Sequence, residues 1–273
     1  MTDTRPLAVV TGASSGIGLE LARQLAERGF DLIVAAEDDA RLQETAERIR
    51  ATGAAVQAVR ADLRDYDETE RLYAAVTATG RPVAVAALNA GIGKGGPFVT
   101  NELADELSIV DLNVRSTVQL AKRLLRDMTA MDEGRILITS SIASTAPGSF
   151  QAVYNASKSF LQSFAQALRN ELEDTGVTVT ALMPGPTETD FFRRAGMGGT
   201  KVGRQEKDDP AQVAKQGLDA LMAGADKIVA GSAKTRATGL VSKVVPDRLK
   251  AAAHRSMAEP GSGERQRDAD EEA

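Results

Sequence analysis

The sequence predicts an α/β fold, a doubly wound parallel sheet of about seven strands with helices on both faces. Three observations predict it. Short apolar runs alternate with longer segments of helical period along most of the chain. The runs are almost continuously apolar rather than alternating, the pattern of strands covered on both faces. A length of 273 residues suits one large, well-covered domain better than two.

The strands read, in order, as Leu7–Thr11, Asp31–Ala36, Ala55–Arg60, Val83–Leu88, Arg135–Ser140, Val177–Met183 and Lys227–Ala230. Helices fill the gaps. Gly16–Arg28 turns Leu19, Ala22, Leu25 and Ala26 inward, and further helices are expected at roughly 104–131 and Ala152–Glu173. Asp209 and Pro210 supply an N-cap and a first-turn proline for Ala211–Ala223. Gly196, Gly198, Gly199 and Gly203 lie among charges in residues 191–208, which read as a mobile loop. One domain is expected over 1–257, closing with a helical segment at 232–257. Residues 258–273 are polar and lack an apolar face, so a disordered tail is expected there.

Composition narrows the chemistry. Apolar residues make up 42% and charged residues 26%, the profile of an ordinary globular protein. A net charge of −5 argues against nucleic acid as a partner. No apolar run is long enough to span a bilayer and the first residues lack a signal-peptide pattern, so a cytoplasmic location is expected. There is no Cys and only one His, His254. Disulfides and thiolate nucleophiles are excluded, and no metal site is expected. Proton chemistry must therefore fall to Tyr, Lys, Asp or Glu.

The segment Thr11-Gly12-Ala13-Ser14-Ser15-Gly16-Ile17-Gly18 follows the first strand and opens a helix. Glycines there allow a tight turn and close approach of backbone to a pyrophosphate, and the helix N-terminus adds partial positive charge. With it come Asp62-Leu63, Asn89-Ala90-Gly91, Asn113, the pair Ser140-Ser141, Tyr154-Asn155-Ala156-Ser157-Lys158, and Pro184-Gly185-Pro186-Thr187-Glu188-Thr189. Each lies at a strand end or on the following helix. This ordered series, over roughly residues 6–231, resembles the short-chain dehydrogenase/reductase family. Leu88 departs from the family pattern, which has a first Asn there.

The resemblance implies a Rossmann-type sheet and an NAD(P)-dependent oxidoreductase moving a hydride between nicotinamide and a carbonyl or alcohol. It implies cofactor contacts from Gly12, Ser14, Ser15, Gly16, Ile17, Gly18, Glu37, Asp62, Leu63, Asn89, Ala90, Gly91, Tyr154, Lys158, Pro184, Gly185, Thr187 and Thr189. Asp62 would meet the adenine amine. A homotetramer or dimer is expected, paired through the helices at roughly 104–131 and 152–173, where Phe160, Leu161, Phe164 and Leu168 exceed what the sheet needs.

Tyr154 and Lys158 are four residues apart and share one helix face. A free tyrosine, with a pKa of about 10, exchanges protons poorly near neutrality, and a nearby ammonium would lower it. By resemblance, Lys158 also grips the nicotinamide ribose, and Asn113 holds a water that links Lys158 to solvent. Ser141, thirteen residues before Tyr154, can fix the substrate oxygen; Ser140 is the alternative.

The second strand ends in Ala35-Ala36-Glu37-Asp38-Asp39. These carboxylates would repel a 2′-phosphate, so NAD is favoured; Arg41, one turn on, leaves NADP open. Phe98, Ile142, Phe191, Phe192 and Met197 suggest an apolar substrate pocket, and Arg193, Arg194, Lys201 and Arg204 could attract an anion. Residues 232–257 hold six Lys/Arg against one acid. A packed helix pair is expected there, with a basic surface for a membrane or carrier protein as the less favoured reading. A non-enzymatic dinucleotide sensor is the other alternative, but it would have no need for Ser141, Tyr154 and Lys158 together.

Overall fold

The computed structural model describes residues 5–241 and 245–264. Val244, part of the basic segment, and residues 265–273 lie outside the described residues. The strands are β1 (Leu7–Thr11), β2 (Asp31–Ala36), β3 (Val56–Arg60), β4 (Val83–Leu88), β5 (Gly134–Thr139), β6 (Val177–Pro184) and β7 (Lys227–Ala230). All neighbours pair in parallel, in the order β3-β2-β1-β4-β5-β6-β7.

The strand period of two sends alternate side chains to two separate cores. Ala8 and Val10 of β1, and Leu32 and Val34 of β2, face α1 (Gly16–Glu27), α2 (Asp39–Arg50) and α9 (Pro210–Met222). Leu21, Leu25, Leu42, Ile49, Val213 and Leu218 fill that side. Leu7, Val9 and Ile33 point the other way, toward α3 (Tyr66–Thr77), α5 (Ser116–Ala130) and α6 (Ala152–Glu171). There Leu72, Leu120, Leu124 and Leu161 close the second core. Truncating one of these fully buried leucines to alanine costs about 2–5 kcal/mol.

Asp38, Asp65 and Asp209 cap α2, α3 and α9 with their carboxylates. The helical run before β5 is not uniform. Between α4 (Leu103–Ile109) and α5 lies a π-helical turn, Val110–Arg115, which carries Asn113. Such turns shift the helix phase locally and often occur at functional sites.

Two expectations change. Residues 191–208 hold two short helices, α7 (Phe191–Arg194) and α8 (Lys201–Arg204). Ala195 and Met197 are fully buried, and Gly95 N–H bonds the Ala195 carbonyl. Of the glycines there, Gly203 serves close packing, as its position leaves no room beside the Met197 carbonyl. The described part of the expected tail is also folded. Ser262 is buried, accepts from Lys201 N–H, and Gly263 N–H bonds the Gly199 carbonyl. Segment 232–241 contributes α10 (Ala233–Val241), and α11 (Asp247–Ala258) packs over the 142–150 segment and α8.

Candidate active site

The strand order reverses direction between β1 and β4, so a crevice opens beyond their carboxyl ends. Thr11 joins the two ends, accepting from Asn89 N–H at 2.9 Å and Ala90 N–H at 3.1 Å. Asn89 in turn accepts from the Thr139 hydroxyl at 3.1 Å. Three strand ends are thereby fixed to one another. The crevice continues into a cavity of about 1490 Å³, larger than the usual small-ligand site.

At one end lies the glycine turn. Gly12 and Gly16 have φ of +68° and +55°, which disfavours side chains. A Cβ on Gly18 would sit 2.1 Å from the Gly12 carbonyl oxygen, which explains the third glycine. Ser15, the N-cap of α1, makes no side-chain cap, so the helix N-terminus opens onto the cavity with unpaired N–H groups. A pyrophosphate fits this cradle. Ser14, Ser15, Gly16 and Ile17 line it with Gly12, and Pro184, Gly185, Thr187 and Thr189 line the facing wall. Gly18 lies beneath.

At the adenosine end, Glu37, Asp62 and Leu63 also line the cavity. Neither carboxylate is free. Arg64 bonds Asp62 through Nε and Nη2, both at 2.8 Å, and Nη2 also bonds Glu37. Arg64 holds the Asp62 carboxyl below the usual range. Arg41 does not stand free for a phosphate, since it pairs with Asp190 at 3.0 Å and Asp38 at 3.5 Å. Arg64 joins this site as a residue not expected from the sequence, where its place two residues after Asp62 is the one signal of it.

At the other end Ser141, Tyr154 and Lys158 line one wall, with Asn89, Ala90 and Gly91 beside them. The two serines are placed differently. Ser140 is fully buried and donates to the Lys158 carbonyl at 2.9 Å, anchoring α6. Ser141 caps the turn at Ala143, its hydroxyl donates to the Pro184 carbonyl at 3.4 Å, and it lines the cavity with Tyr154. Lys158 is 4% exposed; its Nζ donates to the Thr139 carbonyl at 2.8 Å and lies 5.9 Å from the Tyr154 ring centre.

One expectation about this group needs correcting. Burial pushes Tyr154 up to about 12, outweighing the downward pull of Ser141, so Lys158 does not produce a lowered tyrosine here. Burial also brings Lys158 down to about 8. Asn113 does not line the cavity. It is fully buried, with its side chain committed to the Ile92 N–H and carbonyl, both at 2.9 Å, and to Ser157 at 3.0 Å.

Around the reacting end, Ile142, Phe191 and Phe192 line the cavity as expected. Met197 is buried beneath the wall, and Phe98, 57% exposed, lies in a separate groove with Val110 and Phe160. The expected anion-attracting residues are largely occupied: Arg193 and Arg194 pair with Asp190, and Arg204 with Glu264. Lys201 lines the cavity. His254, which the sequence reading left without a role, lines it too.

A family description, short chain dehydrogenase, matches residues 6–197. The chain belongs to the short-chain dehydrogenase/reductase family. It is 38% identical over 192 residues to a Streptomyces coelicolor protein assigned as a ketoacyl reductase, covering 69% of this chain and 73% of that one. A short-chain dehydrogenase from Sphingobium yanoikuyae in complex with NADPH superposes with a TM-score of 0.77 at 29% identity, over 82% and 87% of the two chains. A member from Burkholderia phymatum in complex with NAD gives 0.78 at 25% identity, over 89% and 93%. This short-chain dehydrogenase/reductase is an NAD(P)-dependent oxidoreductase acting on a carbonyl or alcohol group. Its sheet has the Rossmann-type order. Among the described residues no helix is long and apolar enough to cross a membrane.

Proposed function

We propose that the chain interconverts a ketone of ketoacyl type and the corresponding alcohol, with Tyr154 as the acid/base. The observation that carries this reading is the convergence of Ser141, Tyr154 and Lys158 on one wall of a cavity that also contains the glycine cradle. When bound, the nicotinamide supplies or accepts the hydride. Ser141 orients the substrate oxygen, and Tyr154, protonated at neutral pH, gives it a proton during reduction. Lys158 places a positive charge beneath the ribose site and carries its proton near neutrality. Asn113, by gripping Ile92, holds the 91–92 turn in place. The similarity to proteins assigned as ketoacyl reductases supports the substrate class.

NAD is favoured over NADP in this reading. At the adenosine edge Glu37 and Asp62 line the cavity and share the guanidinium of Arg64, while Arg41 is held by Asp38 and Asp190. Both guanidiniums are engaged by carboxylates, which opposes a 2′-phosphate.

The chain also acts in the cytoplasm, as a dimer or tetramer. Exposed Leu103, Leu107, Val110 and Phe160 on α4, the π turn and α6 support self-association through that face. The experiment is oxidation of NADH and NADPH against a panel of ketones and 3-oxo esters. Turnover with a 3-oxo ester is expected; no turnover across the panel with either cofactor overturns the reading.

A further inference from the structure

Gln151 is the residue whose chemistry the proposed reaction leaves unused. It occupies the N-cap of α6, is 6% exposed, and lines the cavity. Its amide has no hydrogen-bond partner among the described residues and does not cap the helix it precedes. N-caps favour Ser, Thr, Asp, Asn or Gly, so helix chemistry does not account for this glutamine. Its idle donors and acceptor reach the open cavity, where they are available to a ligand. Its position is rigid. Gln151 N–H bonds the Gly148 carbonyl at 3.0 Å, and Asn155 holds the preceding turn by donating to the Ala143 and Ala146 carbonyls at 3.1 Å.

His254 lines the same cavity from α11. Its Nδ1 lies 3.0 Å from the Ser149 carbonyl oxygen. A carbonyl only accepts, so Nδ1 carries the proton and Nε2 of the neutral ring is left as an acceptor. Nε2 has no partner among the described residues. Burial, which lowers the pKa of the ring, keeps it neutral near pH 7. Lys250, one turn earlier on α11, donates to the Thr145 carbonyl at 2.9 Å and pairs with Asp247 at 2.9 Å. Lys250 is therefore occupied, and both idle groups are uncharged.

We propose that Gln151 and His254 form a second substrate subsite that grips an uncharged oxygen group near the reacting carbonyl. The proposal rests on the reading that Tyr154 marks the reacting oxygen. Gln151, the N-cap residue, precedes Tyr154 by three residues, and both line the same cavity. That nearness suits the two oxygens of a 1,3- or 1,4-difunctional compound. The amide donates to an ester or ketone oxygen, and Nε2 accepts from a hydroxyl where the second group is an alcohol. Ile142, Phe191, Phe192 and Met257 line the cavity as well, and in such apolar surroundings an unpaired carboxylate would be costly.

Two measurements test it. The first compares kcat/KM for ethyl 3-oxobutanoate and for 2-hexanone in wild type, Gln151→Leu and Gln151→Glu. The ester-to-ketone ratio should fall about tenfold in both variants, the effect of one lost hydrogen bond. An unchanged ratio overturns the proposal. The second uses the single histidine of the sequence. Its ring nitrogen signals, followed by NMR in the protein with bound cofactor, should move when ethyl 3-hydroxybutanoate is added. If the ester binds and the signals stay still, the subsite is wrong. If they move while neither carbonyl probe is turned over, the subsite stands and the reading of the reacting end falls.

Discussion

Arg41 and Asp190 face each other across the cofactor crevice, 3.0 Å apart. One belongs to α2, after β2, and the other precedes α7, after β6. Arg41 first, then Arg193, holds the Asp190 carboxyl down at about 2. Nearby, the Thr189 methyl lies 2.8 Å from where a Cβ on Gly16 would stand. The 187–190 turn thus lies over the phosphate loop, with the ion pair as its tie. Arg41→Ala should release cofactor a few-fold faster, no more, because both partners are half-exposed. Stopped-flow fluorescence checks this, and release from wild type should be flat from about pH 5 to 7, since Asp190 stays ionised and Lys158 keeps its charge there. An unchanged release rate in the variant removes the tie.

Tyr154→Phe should lower turnover by at least about 10²–10⁴-fold while cofactor affinity changes little, because only the transferable proton is lost. Steady-state kinetics and a cofactor titration check both halves. Substantial residual activity sinks the assignment.

Lys158 carries a cost in stability. Its folded value of about 8 lies below the ordinary lysine value, so between about pH 8 and 10.5 the unfolded chain binds more protons and stability rises with pH. Tyr154 acts oppositely: its value of about 12 makes stability fall above about pH 10. Lys158→Met should therefore abolish activity yet raise the melting temperature at pH 7 by about 2–6 °C. That gain should shrink toward pH 10. A variant that melts below wild type at pH 7 contradicts this.

Glu37→Arg should improve NADP binding more than it harms NAD binding. The change adds one guanidinium and frees Arg64 from its Glu37 bond. Arg64→Ala should act the other way, weakening NADP further by leaving Glu37 and Asp62 without their shared cation. Titrating both cofactors into the three proteins decides it; a wild type that already prefers NADP shows that Glu37 is not the discriminator.

Phe160, 42% exposed, stacks on Phe164 with ring centres 5.7 Å apart. Light scattering should give a dimer or tetramer for wild type and a smaller species for Phe160→Glu, since a carboxylate buried in that apolar face would lack a partner. A monomeric wild type at micromolar concentration contradicts the proposed assembly.

Strand identity was legible because burial on both faces leaves nearly unbroken apolar runs. The expected limits of β1, β2, β4 and β7 match the structure, β3 and β6 differ by one residue at one end, and β5 by one residue at both. The acid cap and first-turn proline of α9 were legible for a similar reason, since each acts within one turn of chain. Spacing along a helix likewise brought Tyr154 and Lys158 to one wall, and the glycine turn and its α1 N-terminus lie in a single stretch.

What the sequence determined by itself is thus the local chemistry: strands, caps, the phosphate cradle and the face shared by Tyr154 and Lys158. The tertiary structure alone decided strand order, the separation of Ser140 from Ser141, the enclosure of Asn113 and the high pKa of Tyr154. It also tied Arg64 to Glu37, 27 residues away, and His254 to Ser149, 105 residues away. The physical reason is common to these cases. Desolvation and long-range hydrogen bonds exist only once distant segments pack, and composition or period along the chain carries no record of which distant groups will meet.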